Sequence, residues 1–141
     1  MNKSFDSHKA PKAVGAYPHA RKVGQLLFLS GVGPRIAGSG KHDSHVPGLE
    51  LDHNGHFSNF SFEDQVHSVF ANVKAILEEA GSNWENLVDI TVFLVDMKRD
   101  FRTFNRIYAE YFQGNKPCRT TVEINALPTP IAIELKCIAT V

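Results

Sequence analysis

Arg119 is the first residue in this sequence with an evident chemical use. It follows Pro117 and Cys118 and opens the run Arg119-Thr120-Thr121-Val122-Glu123-Ile124. Strand alternation puts Arg119, Thr121 and Glu123 on one face of that run. A guanidinium projecting from a strand can grip a carboxylate through two parallel hydrogen bonds. The plainer reading is an ion pair with Glu123 or Glu134. Glu134 and Lys136 share a face of a later run, Ile131 to Val141. A carboxylate beside a bound ligand can orient or activate water, whereas a bridge to Lys136 or Arg119 would be structural. Asn105 falls within a helical apolar stripe, four residues after Phe101 and three before Tyr108, where an amide needs a hydrogen-bond partner. Ser30-Gly31 closes an apolar strand, and Gly31 either lets backbone approach a ligand or turns the chain.

Other chemistries find less support. His42 and His45, then His53 and His56, form two H-x-x-H pairs. They lie in a Gly-rich stretch rather than on a helix that would preorganise ligands, so a solvated loop is expected and no metal site. Cys118 beside Arg119 could be an activated thiolate, yet no histidine is tied to it by sequence. No nucleophile elbow, phosphate-binding loop or dinucleotide fingerprint occurs, and no cofactor is expected.

The elements that must position these groups follow from periodicity. Leu26 to Leu29 is a buried strand, with Val14 to Val23 its hairpin partner across Gly24-Gln25. Residues 34–59 hold two prolines and four of the seven histidines, with almost no periodicity, and predict an extended loop. Ser61 caps a helix whose apolar positions run Phe62, Val66, Val69, Phe70, Val73, Ile76, Leu77 and Ala80 until Gly81. Leu87 to Val95 predicts a strand with Val88, Ile90, Val92 and Leu94 on one face. Residues 98–113 predict a second helix with Phe101, Phe104, Tyr108, Tyr111 and Phe112 inward. Strands at 118–124 and 131–141 complete the order β-β-α-β-α-β-β. Two helices cannot cover both faces of such a sheet, so the expected fold is α+β with the helices on one face. In the last strand, Ile131, Ile133, Leu135, Cys137 and Ala139 suit packing under the helices. The mixed opposite face of Ala132, Glu134, Lys136, Ile138 and Thr140 calls for cover from another subunit.

Composition bounds the function classes. The chain has 141 residues, 43% of them hydrophobic, enough for one domain spanning 1–141 without disulfide staples. Fifteen basic residues balance fifteen acidic ones, which argues against a nucleic-acid or anionic-membrane binder. No apolar run reaches the ~20 residues of a membrane span. The polar stretch 1–16 has no secretory character, and two cysteines are too few for a disulfide framework, so a cytoplasmic setting is expected.

These motifs coincide in order with a known family. Tyr17, Leu29-Ser30-Gly31, the helix Asn72-Val73-Lys74-Ala75-Ile76-Leu77 running to Ala80-Gly81, and Thr91-Val92-Phe93-Leu94-Val95-Asp96 resemble the reactive-intermediate imine deaminase (RidA/YjgF) family. So do Pro117 to Ile124, Leu127-Pro128 and Ile133-Glu134. The resemblance covers nearly the whole chain outside 34–59. It implies a chorismate-mutase-like mixed sheet and a homotrimer with ligand clefts between subunits. It further implies that Arg119 grips a substrate carboxylate, Glu134 orients water and Asn105 adds a polar contact. Tyr17, Ser30, Gly31, Thr121 and Lys136 would complete the substrate site. The sequence departs from the family pattern in two places. Where the family often has cysteine two residues after the arginine, Thr121 stands here, with Cys118 before the arginine instead. The long stretch Gly33 to Ser61, with Phe101, Asn105 and Lys136 in context, resembles the 2-aminomuconate deaminase branch of bacterial aromatic catabolism. The implied alternatives are a general 2-aminoacrylate-type deaminase and a non-catalytic binding protein using the same cleft.

Overall fold

A computed structural model describes residues 2–141. Its centre is a mixed sheet of six strands in the order β1-β2-β3-β8-β6-β7. These are β1 (Lys3–Phe5), β2 (Ala20–Val23), β3 (Leu26–Leu29), β6 (Leu87–Leu94), β7 (Cys118–Glu123) and β8 (Ile133–Thr140). All neighbours run antiparallel except β6 and β7, which are parallel because α2 (Met97–Tyr111) connects them. Gly24, at φ 61°, makes the tight turn between β2 and β3, where a two-residue hairpin loop demands a positive φ.

Both helices pack on one face of the sheet, as expected. In α1 (Phe62–Glu79) the Ser61 hydroxyl accepts the Asp64 N–H at 3.3 Å, and every apolar position named from its periodicity is buried. Asp96 caps α2 by accepting the Arg99 N–H at 3.0 Å, and Glu123 at the end of β7 accepts the Met97 N–H at 2.8 Å. Two carboxylates therefore face the positive end of that helix. Phe70 sits between the helices, touching the rings of Trp84, Phe104, Tyr108, Tyr111 and Phe112. Beneath them lie Ile133, Leu135, Cys137 and Ala139 of β8, all fully buried.

Four expectations need correction. Residues 34–59 are not wholly loop: β4 (Leu49–Leu51) and β5 (Phe57–Phe60) form a separate hairpin. Its strands are mostly exposed, so they lack the alternating buried face that reveals a strand in sequence. Only Ala20–Val23 of the expected Val14–Val23 strand is extended in the sheet, and β1 supplies the extra edge pairing. Val88 does not share the buried face of β6. A bulge between Leu87 and Asp89 places two residues opposite one step of β8, leaving Val88 42% exposed and Leu87 buried. On α2, Ile107 is buried while Tyr111 is 37% exposed, since the helix meets the sheet along a narrower stripe than its aromatic content suggests.

The far face of the sheet carries no helix. Phe28, Phe93, Val122 and Ile138 lie there with Thr91, Thr120, Glu134 and Lys136, in register across four strands.

Candidate active site

The sequence-predicted residues separate into two groups on opposite faces of the sheet. Arg119 pairs in register with Ile90, and Thr121 with Val92, both buried on the helix side. Arg119 and Thr121 therefore point toward α2. The Arg119 guanidinium lies 4.6 Å from the centre of the Tyr108 ring, 5.5 Å from Phe104 and 6.0 Å from Phe101. Its Nη2 donates to Asn105 Oδ1 at 2.8 Å. Aromatic faces stabilise a cation without neutralising it. Among the described residues no carboxylate forms an ion pair with Arg119. The bland partner Glu123 is engaged at the start of α2, and Glu134 faces the other way.

Asn105 departs from its expected place. It is exposed beside the apolar stripe of α2 rather than within it, because Ile107 and Phe104 take the buried positions. Its partner is the guanidinium, so it fixes that group's orientation. The Tyr108 hydroxyl and Thr121 Oγ1 are both buried without a hydrogen-bond partner. Burial pushes the Tyr108 hydroxyl up to about 12, against the opposing pull of Arg119, so it remains a protonated donor.

The second group lies where β3 ends. Glu134 is on the helix-free face of β8, and a Cβ on Gly31 would stand 2.9 Å from its carboxyl carbon and Oε2. A side chain at position 31 would push that carboxylate aside, so glycine lets Glu134 lie against the backbone there. Glu134 is half-buried, and this desolvation pushes its carboxyl above the ordinary glutamate range. Tyr17, Gly31, Arg35, Thr129 and Glu134 bound an open cleft, and a smaller depression behind it reaches His19 and Ser30. The Ser30 hydroxyl donates to the Pro18 carbonyl at 2.7 Å, and the Ser30 N–H to His19 O at 2.9 Å. Ser30 thus holds the segment that carries Tyr17. Lys136 shares the face of Glu134, but its ammonium donates to the Leu29 carbonyl and it does not line the cleft.

Sequence reading missed the residues that hold this second group. Helix α1 presents Ser68 and Asn72, one turn apart, to the chain leaving Gly31. Ser68 Oγ donates to Pro34 O at 2.7 Å, while Asn72 Nδ2 donates to Gly33 O at 2.9 Å and Arg35 O at 2.7 Å. The available signal was polarity out of place: Asn72 is buried in a helix whose neighbours Val69, Phe70, Val73 and Ile76 are core. Across the same cleft wall, His19 Nδ1 accepts the Ser7 N–H at 2.9 Å and Nε2 meets Pro11 O at 2.7 Å. That pairing requires the neutral ring with its proton on Nε2.

Arg119 and Glu134 do not meet within one chain. Their strands flank β6 on either side, and Arg119 is level with Ile90 while Glu134 is level with Phe93, so the two lie roughly 14 Å apart, on opposite faces. The four histidines of 42–56 are exposed, and among the described residues no three His, Cys, Asp or Glu side chains converge as metal ligands. Cys137 is fully buried, and burial pushes its thiol up to about 12, which leaves it unreactive. No helix among the described residues is long and apolar enough to cross a membrane.

Comparison with known proteins agrees with this architecture. The family model described as endoribonuclease L-PSP matches residues 7–141. The chain is 39% identical over 134 residues to reactive intermediate deaminase A, chloroplastic, of Arabidopsis thaliana, covering 95% of this chain and 63% of that protein. It therefore spans less than two thirds of that relative. It is 34% identical to 2-iminobutanoate/2-iminopropanoate deaminase of Rattus norvegicus, covering 99% of this chain and 90% of that protein. Among solved structures, E. coli TdcF with bound serine superposes with a TM-score of 0.82 at 29% identity, covering 99% of this chain and 98% of that one. The Rid protein YyfA of Yersinia pestis gives 0.83 at 30% identity over the full length of both chains. By sequence, by order of motifs and by a shared α+β fold of two helices on a mixed sheet, the chain belongs to the RidA/YjgF family.

Proposed function

We propose that this protein is a cofactor-free deaminase that hydrolyses the C–N bond of an α-imino acid, in clefts formed between the subunits of a homotrimer. The observation that carries this reading is the pairing of an unneutralised guanidinium with a desolvated carboxylate on surfaces that only a neighbouring chain can bring together. The relatives named as imine deaminases supply the reaction class.

Arg119 of one subunit holds the carboxylate next to the imine carbon, with Asn105 fixing the guanidinium plane. Glu134 of the adjoining subunit accepts a hydrogen bond from water as its oxygen adds to that carbon. The resulting carbinolamine collapses to the ketone, and nitrogen leaves as ammonia after taking up the proton. An enamine substrate first tautomerises to the imine, losing a proton from nitrogen and gaining one at carbon. Tyr17 covers the ligand, Ser30 and Gly31 line the cleft with backbone, and Thr121 offers its free hydroxyl beside Arg119. No step requires an electron sink or a metal.

The specific substrate we assign is 2-aminomuconate, released as 4-oxalocrotonate (2-oxo-3-hexenedioate) and ammonia during aromatic catabolism in the bacterial cytoplasm. The long segment between Gly33 and Ser61, folded over the cleft side of the molecule, supports it. The name of the rat relative favours a second reading, deamination of short monocarboxylic imines. The family description also names an endoribonuclease, but a chain with fifteen charges of each sign lacks the basic excess that binding a phosphate backbone draws on.

Two measurements test the reading. Ammonia release from freshly generated 2-aminomuconate is compared with its spontaneous decay and with release from 2-iminobutanoate. Faster turnover of the short imine alone would favour the second reading, and acceleration of neither would end both. Next, Arg119→Ala and Glu134→Gln chains are dissociated together and reassembled as a mixture. An intersubunit cleft predicts recovery of about a quarter of wild-type activity, since random mixing restores that share of sites. A cleft within one chain predicts none.

A further inference from the structure

We propose that the cleft at Glu134 continues into a second, anion-binding subsite formed by Lys41 and His42, which takes the far carboxylate of a substrate charged at both ends. The subsite presupposes the deaminase reading only for what occupies the cleft. Val14, Arg35 and Thr129 border both the cleft and an adjoining groove lined by Lys41, His42 and Leu51. The two depressions therefore adjoin along these shared residues, with Gly31 and Glu134 beside one and the two basic residues beside the other.

The chemistry of the outer groove is one-sided. Its ionisable lining is Arg35, Lys41 and His42, with no carboxylate, and among the described residues none of the three forms an ion pair. Arg35 is offset in part by the nearby Asp43 carboxylate, so the positive charge of this groove rests chiefly on the unpaired Lys41 ammonium, with the His42 ring as a further hydrogen-bonding group. Val14, Leu51 and Pro130 supply apolar walls between the two depressions, as a short carbon chain would need.

The loop bearing these residues is also braced. His42 and Asp43 both adopt positive φ, 58° and 56°, a conformation that non-glycine residues take only when their surroundings hold them there. Arg35 Nη1 donates to the carbonyls of His42 at 3.2 Å and Asp43 at 3.1 Å, and Nη2 to Lys12 O at 2.7 Å. The Asp43 carboxylate accepts the N–H groups of Lys12 and Gly38, each at 2.9 Å. Arg35 itself is anchored through its carbonyl by Asn72 of α1. With its guanidinium committed to carbonyls, Arg35 contributes fixed charge, while the exposed Lys41 and His42 side chains are free to meet the ligand.

The test separates this subsite from the deaminase reading. Binding of adipate and of hexanoate to the full chain is measured by calorimetry at low salt. Adipate is expected to bind about five- to tenfold tighter, an advantage lost in 0.5 M salt and in the Lys41→Ala/His42→Ala double variant. Equal binding of the two acids by the wild type, or an advantage retained by the double variant, overturns the subsite. Both substituted side chains are exposed, and an unchanged melting temperature verifies the fold. In turnover, the ratio of kcat/KM for 2-aminomuconate over 2-iminobutanoate should fall by the same factor in the double variant. A Lys41- and His42-dependent preference for adipate without ammonia release from 2-aminomuconate sustains the subsite and overturns the deaminase assignment. Ammonia release without that preference does the reverse.

Discussion

The two faces of the central sheet hold opposite charges in opposite ways. On the helix side, Arg119 lies against the rings of Tyr108, Phe104 and Phe101, which keep it charged and aligned without consuming the charge. On the open side, Glu134 rests against the backbone of Gly31, and burial favours its protonated form. Both groups could have neutralised one another in a strand-to-strand ion pair. Opposite pleats on either side of β6 prevent it, and leave each residue ready for a third party. The cationic face is stabilised by its own packing, whereas the acidic face carries a cost that the fold must offset elsewhere.

That contrast can be broken from either side. The largest effect is expected for Arg119→Ala, a fall in kcat/KM of about 10³-fold for loss of a charged carboxylate clamp. No ion pair is lost, but the ring contacts and the Asn105 hydrogen bond are, so its melting temperature should fall by only about 2–5 °C. Activity retained within tenfold would dissociate the helix face from catalysis.

Glu134→Gln should lower kcat by about 10²-fold and yet raise the melting temperature, by about 1–3 °C for a half-exposed group. The folded chain holds the Glu134 proton more tightly than the unfolded chain, so stability falls as pH rises through the interval between ordinary and raised values. Wherever the carboxyl is ionised in the folded chain that loss is in force, and an uncharged glutamine abolishes it. In the wild type, kcat/KM should decline on acidification at a pH above the ordinary glutamate range, a limb that the variant lacks. A destabilised glutamine variant would contradict desolvation as the cause.

Asn72→Ala should cost about 2 kcal/mol, seen as a drop of about 5–8 °C in melting temperature, by orphaning the carbonyls of Gly33 and Arg35. It should also raise KM, since those carbonyls set the wall of the open-face cleft. The smallest effect belongs to Asn105→Ala. One charge-assisted hydrogen bond at an exposed position predicts a five- to tenfold loss of kcat/KM, about 1 kcal/mol, and no change in melting. An effect as large as that of Arg119→Ala would instead make Asn105 a direct substrate contact.

The elements around these residues were legible where one face is buried. The period of Phe62 to Ala80 located α1 because that face meets the sheet, and the alternation from Ile131 to Ala139 located β8 for the same reason. The exposed β4–β5 hairpin left no such trace, and the bulge at Val88 shifted a pattern that alternation alone assigns to the wrong side. Candidate residues could be named by type, yet the braces Ser68 and Asn72 went unseen, since their partners are backbone carbonyls more than thirty residues away.

By itself the sequence determined that Arg119, Thr121 and Glu123 share one pleat, that Glu134 and Lys136 share another, and that two amphipathic helices lie on one side of a sheet. Pleat and helical period are local, set by the backbone geometry of a few residues. The apolar alternation of the last strand also turned Glu134 away from the helices, but that Arg119 faces them, so that the two look away from each other, depends on the order β8-β6-β7 and its register. Strand order is a long-range outcome of core packing, and only the tertiary structure decided it.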